Sequence, residues 1–140
     1  MENAKNPTTA SDYYDADYFA WQKSIGDFGA WADADKFAAS IRPTDTVIDF
    51  GCGGGFLLST LNCQTRIGIE PNASAAANLK ELEIKHFVSP TDALAKLGDA
   101  SVDVIVSNHA LEHIGSVKIC RDELIEIDQL TIAVACNHSA

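Results

Sequence analysis

The chain has 140 residues, 46% of them hydrophobic, with 20 acidic against 10 basic side chains and a net charge of −10. One domain is the expectation, because a chain of this size buries roughly 68–70% of its unfolded surface. The negative field disfavours nucleic acid and anionic membrane as partners, and the absence of an apolar leader or a membrane-spanning run predicts a soluble, cytoplasmic protein.

Residues 1–10 are polar, include Pro7, and read as a disordered N-terminus ahead of a single domain over 11–140. Ser11 can cap a helix carrying Tyr14, Tyr18, Trp21 and Ile25 at helical spacing. Gly26 and Gly29 are expected to break it, and a second helix near 32–41 would gather Phe37, Ala38 and Ile41. This aromatic-rich segment, 11–41, reads as a helical cap, either covering a sheet edge or closing as a lid over a ligand.

After a turn at 42–45, Val47, Ile48 and Phe50 mark a buried strand that runs into a glycine turn and a helix near 55–61. A second strand over 65–70 ends on Glu70. Asn72 can cap the helix that follows, which carries Ala76, Leu79 and Leu82. A short strand over 85–89 stops at Pro90, and 91–97 reads as a helix. Residues 102–106 are almost continuously apolar, as a strand covered on both faces should be. Val117, Cys120, Leu124 and Ile127 then repeat at helical spacing, and 130–136 is apolar and β-branched enough for a fifth strand. Strands alternating with helices predict an α/β fold with a parallel sheet.

The glycine turn carries the chemistry. A dinucleotide site wants Gly-x-Gly-x-x-Gly/Ala, and here Gly51 and Gly53 are followed by Phe56 at the third small position, which argues against a nicotinamide oxidoreductase. The chain instead has Asp-x-Gly-x-Gly-x-Gly, as Asp49, Gly51, Gly53 and Gly55. Glu70 stands at the end of the next strand, where a carboxylate can accept hydrogen bonds from both hydroxyls of a ribose. Glycine run, strand-end acid and strand order together point to an adenosine-type ligand.

Two other patterns lead elsewhere. His109-Ala-Leu-Glu112-His113 matches a zinc-peptidase signature, but it follows directly on a buried strand without an evident third ligand, so no metal is expected. His109 or His113, with His109 the favoured one, is instead the candidate general base toward a substrate. Cys52, Cys63, Cys120 and Cys136 form no Cys-x-x-Cys pair and read as reduced thiols.

On its first motif, Val-Ile-Asp-Phe-Gly-Cys-Gly-Gly-Gly-Phe, the sequence resembles the class I S-adenosylmethionine-dependent methyltransferases, and within them the branch acting on small molecules. Ile-Gly-Ile-Glu-Pro is similar to the segment after it, and Val-Asp-Val-Ile-Val-Ser-Asn-His-Ala-Leu-Glu-His-Ile to the fourth-strand motif; the likeness covers about 13–128. It implies a Rossmann-like three-layer sandwich and S-adenosyl-L-methionine as cofactor. It further implies that Gly51, Gly53 and Gly55 wall the methionine part while Asp49 fixes the loop and the ligand's ammonium. By the same resemblance Glu70 holds the ribose, Pro71 packs on the adenine, Asp92 meets the adenine amino group, and Asn108 and His109 line the transfer end. The family's Pro-Gly-Gly-type turn before strand five and its last two strands have no counterpart, so the chain reads as C-terminally truncated. Its fifth strand would be an apolar edge, to be covered by a second copy as a homodimer or by another partner. Two functions stay open: methyl transfer to a small molecule, or a non-catalytic module that binds the cofactor and needs a partner or second copy to complete the fold.

Overall fold

The computed structural model describes residues 16–111, 114, 117–130 and 134–136. At its centre is β1, Thr46–Phe50, which pairs in parallel with β2, Thr65–Ile69, on one side and with β4, Val104–Ser107, on the other. β3, Lys85–Phe87, extends the sheet beyond β2, and β5, Val134–Cys136, extends it beyond β4, giving the order β3-β2-β1-β4-β5. Every pairing is parallel, so each strand's C-terminal end points to the same edge. A sheet covered on both faces needs strands apolar on both sides, which is how Val47, Ile48 and Phe50 come to be buried together.

Alternation along β1 sends its side chains into two cores. Val47 joins Val104 and Val106 against Leu57 and Leu58 of α2 (Phe56–Thr60) and Leu79 of α3 (Ala76–Glu81), with Ala30 and Phe37 of α1 (Ala16–Ala38) closing the layer. Ile48 and Phe50 join Ile67, Ile69, Phe87 and Ile105 against Ala93 of α4, Pro90–Leu97. α5, Val117–Leu130, packs beside α4. The result is a three-layer, Rossmann-like sandwich with a parallel sheet, as expected. Among the described residues β5 lies at the sheet's edge, as anticipated.

Local chemistry fixes the joints. Asp45 is buried and accepts from the Arg42 backbone N–H at 2.8 Å and from its Nε at 3.0 Å, closing the turn into β1. Arg66 donates to the carbonyls of Leu58 and Leu61, adding to the backbone N–H groups of Leu61 and Cys63 that those carbonyls accept at the end of α2. Asn72 caps a 3-10 turn, Ala73–Ala75, that leads into α3, and Ser89 caps α4 with Pro90 in its first turn.

The N-terminal segment departs from expectation. α1 is one continuous helix through Gly26 and Gly29, with no break and no second helix at 32–41. A Cβ on Gly26 would stand 2.7 Å from Cδ2 of Phe56, so this glycine admits the aromatic ring rather than ending the helix. The buried face is Ala30 and Phe37, with Tyr18 partly buried, whereas Trp21 and Ile25 are exposed. Tyr14 and residues 1–10 lie outside the described residues.

Candidate functional site

The C-terminal edge of the sheet is where a doubly wound fold opens a crevice, because the chain leaves β1 and β4 toward opposite neighbours. Three segments converge there: the turn after β1, the turn after β4, and one side of α1.

The turn after β1 is built on left-handed backbone. Gly51, Gly53 and Gly55 have φ of 76°, 51° and 82°, a region that side-chain-bearing residues avoid. Space is equally restrictive. A Cβ at Gly51 would collide with that of Ala110, and one at Gly55 would come within 2.6 Å of Ile84 Cδ1 and 2.7 Å of Leu79 Cδ2. The Gly51 and Cys52 N–H groups donate back to Ile69, and Asn78 Nδ2 donates to the Gly54 carbonyl at 2.7 Å, so the loop is tied to β2 and α3. Phe56, which fails the dinucleotide pattern, is buried at the start of α2 and turns toward α1.

Glu70 completes the tie from the other side. Its Oε2 accepts from the Gly53 N–H at 3.0 Å and its Oε1 from the Asn72 N–H at 2.9 Å. Each carboxylate oxygen keeps a lone pair for a further donor. Asp49, near the end of β1, is buried, and burial together with the neighbouring Glu70 charge pushes its carboxyl up to about 8. Burial likewise pushes the Cys52 thiol well up, with the Asp49 and Glu70 charges adding to the effect, so it is a packing group rather than a nucleophile. Cys63 is buried and unpaired in a disulfide as well.

The turn after β4 begins with Ser107, whose hydroxyl donates to the Phe50 carbonyl at 3.1 Å and locks the two strand ends together. Asn108 follows, half-buried, its Nδ2 donating to Asp33 Oδ2 of α1 at 2.8 Å. Asp33 Oδ1 in turn meets Lys36 Nζ at 2.7 Å. The hydrogen bond from Lys36 holds the Asp33 carboxyl below its ordinary value against an opposing effect of burial, with Asn108 and His109 adding to the lowering. His109 is exposed and has φ of 56°, outside any helix. The helical spacing that a His-x-x-Glu-His zinc site requires therefore does not start at His109; Glu112 and His113 lie outside the described residues.

Gly51, Gly53, Gly55 and Asn108 lie on the converging turns, Asp49 in the strand before the first of them and Glu70 hydrogen-bonded to it from the end of β2, with Pro71 exposed beside Glu70. Asp92 is half-buried in the first turn of α4, which follows β3, and its backbone N–H is taken by the Ser89 hydroxyl. Asp33 and Lys36 are not marked by the sequence: Asp33 is 75 residues from Asn108, and nothing in its local pattern signals a partner. A glycine cradle that leaves no room for side chains, two carboxylates beside it and an acceptor, Asn108 Oδ1, without a donor among the described residues suit a ligand with an ammonium and a ribose.

Comparison with known proteins agrees with this geometry. A search of curated proteins found no match. The chain is similar in fold to a candidate methyltransferase of Haloferax volcanii solved with the Trm112 methyltransferase activator (TM-score 0.58, 20% identity, 84% of this chain and 58% of that one). It is also similar to a SAM-dependent methyltransferase from Thermotoga maritima, a candidate histamine N-methyltransferase (TM-score 0.60, 16% identity, 82% and 52%). A third, a candidate S-adenosyl-L-methionine-dependent methyltransferase from Methanococcus maripaludis, is matched over 98% of this chain and 68% of that one, at 15% identity and a TM-score of 0.54. The chain therefore spans somewhat over half the length of the first two. The family described as a methyltransferase domain matches residues 48–127, from β1 into α5 and so across both converging turns. On that match, which takes in more than half of its length, the chain belongs to the S-adenosylmethionine-dependent methyltransferase family.

Proposed function

We propose that this chain binds S-adenosyl-L-methionine in the crevice between the two turns and transfers its methyl group to a small-molecule acceptor. The observation that carries the reading is the coupling of Glu70 to the glycine loop: one carboxylate accepts from Gly53 and Asn72 together, holding the loop open beside its own free lone pairs. In this reading Glu70 takes the ribose hydroxyls, Gly51, Gly53 and Gly55 admit the methionine part, and Asp49 faces its ammonium. Pro71 and Asp92 border the adenine, while Asn108 and His109 border the acceptor, with His109 available as a base when the acceptor must lose a proton. The cofactor supplies an activated methyl on a sulfonium. The protein's part is to align the acceptor and exclude water, and alignment alone supplies roughly 7–11 kcal/mol in well-oriented reactions. Residues 11–41 act as a helical cap on a single domain over 11–140, with Asp33 as the cap's contact to the site.

A second reading makes the chain a cofactor-binding module completed by a partner or a second copy. It is favoured by β5, which among the described residues pairs on one side alone, and by the Haloferax neighbour having been solved with an activator. No described helix is long and apolar enough to cross a membrane. Titration calorimetry tests both readings. S-adenosylhomocysteine should bind, and Glu70→Ala should weaken it more than tenfold, since the mutation removes the ribose acceptor and frees two loop N–H groups at once. A well-folded chain with no binding would sink the cofactor assignment. Binding without transfer to a broad acceptor panel would select the second reading.

A further inference from the structure

The group least explained by the fold is the Asn108 amide. Its Oδ1 is buried without a hydrogen-bond donor among the described residues, a condition that costs about 1–3 kcal/mol and is rare in folded proteins. Its Nδ2, by contrast, is held by Asp33 Oδ2 at 2.8 Å, and Lys36 anchors the other oxygen of that carboxylate at 2.7 Å. An amide held in this way cannot flip, because flipping would turn its oxygen toward a carboxylate. Oδ1 is therefore a fixed acceptor, lying in the turn that Ala110 packs against Gly51 and that Ser107 locks to Phe50. We propose that Asp33 is a positioning residue, and that it holds Asn108 Oδ1 to accept a hydrogen bond from the N–H of an amine methyl acceptor.

The proposal rests on the methyl-transfer reading and narrows its substrate. A carboxylate acceptor has no hydrogen to give Oδ1. A hydroxyl acceptor would have to pass its proton to a base before attack. An amine needs neither: after its ammonium form sheds one proton to water, the nitrogen lone pair forms the bond to the methyl carbon. The carbon–sulfur bond breaks with its electron pair remaining on sulfur, and the positive charge passes to nitrogen. An N–H bonded to Oδ1 strengthens as that charge develops, because the amide oxygen is polarised by the Asp33 carboxylate behind it. The remaining extra proton then leaves to water. Asp33 on α1 and Glu70 beside the glycine loop put negative charge near the two turns, within a net charge of −10 overall.

The test uses the full chain saturated with S-adenosylhomocysteine and titrated with butylamine, phenethylamine and tryptamine, each beside its trimethylammonium counterpart. The counterpart keeps the positive charge and lacks any N–H. At least one primary amine should bind tenfold or more tightly than its counterpart, and Asn108→Ala should erase that preference, which a purely steric preference would survive. Asp33→Ala should reduce it at least threefold while S-adenosylhomocysteine binds within about threefold of the parent. Asp33→Asn, which keeps an oxygen for Asn108, should restore most of it. Should either Asp33 variant fail to fold, the comparison on the parent chain stands alone. Equal binding of the two series, or no amine binding to a formed S-adenosylhomocysteine complex, overturns the proposal and leaves the methyltransferase reading intact. Failure of S-adenosylhomocysteine itself to bind would overturn that reading instead.

Discussion

Asp49 sits fully buried near the end of β1 with its carboxyl raised from 3.8 to about 8, chiefly by burial and further by Glu70. The folded chain therefore keeps this proton through a pH range in which the unfolded chain has lost it. Stability falls as pH rises from about 4 to about 8 and levels off above, with a total cost of at most about 6 kcal/mol. Asp49→Asn, an isostere without the charge, should flatten that slope: the melting temperature of the parent should drop between pH 5 and pH 8.5 and that of the variant should hold. Parallel slopes for both proteins would show that Asp49 is not the group responsible. At this scale much is legible in the sequence. Asp49, the glycines and Glu70 announce themselves by spacing, because strand, turn and strand-end acid are local features. Asp33 is not legible, since its meaning depends on Asn108, 75 residues away, and only the packing of α1 brings the two together.

At the scale of elements, strand positions are readable because β1 and β4 are largely apolar on both faces and each is bounded by a turn residue or a glycine, whereas the order across the sheet comes from the fold. The exception is α1, whose two glycines suggest breaks that the helix does not have. Intrinsic propensity penalises glycine by about 1 kcal/mol relative to alanine, a weak bias that tertiary packing overrides. The two glycines separate cleanly. A Cβ on Gly29 would meet nothing within 4 Å, so Gly29→Ala should gain the propensity advantage and stabilise by about 0.5–1 kcal/mol. Gly26→Ala would gain the same advantage but drive its methyl into the buried ring of Phe56, and the overpacking should leave it about 1–2 kcal/mol less stable than the parent. Urea midpoints measure both. Two variants shifting in the same direction would mean that helix propensity, rather than the seat of Phe56, governs this segment. Because Phe56 also opens α2 directly behind the glycine loop, a shift at Gly26 bears on the site as well as on stability.

At the scale of the molecule, charge and apolar surface oppose each other. Trp21, Ile25, Phe28 and Trp31 lie along α1 on the side away from Ala30 and Phe37, and Trp21, Phe28 and Trp31 are 63–70% exposed. A contiguous aromatic stripe of this kind favours association. The net charge of −10 resists it, since two such molecules repel over the Debye length, about 30 Å at 0.01 M salt and about 3 Å at 1 M. Sequence pattern puts these aromatics on a helix but not on the correct face, because a helix rich in aromatics on several sides carries no single direction until Gly26 seats against Phe56. The balance predicts a salt-driven change in size. Sedimentation velocity should find the monomer at low ionic strength and a growing share of larger species as salt rises from about 20 mM to about 500 mM. Trp21→Lys with Phe28→Lys should keep the chain monomeric across that range without loss of helix content, since both side chains stand in solvent. A parent chain indifferent to salt, or a double variant that associates as the parent does, would remove the stripe as the cause.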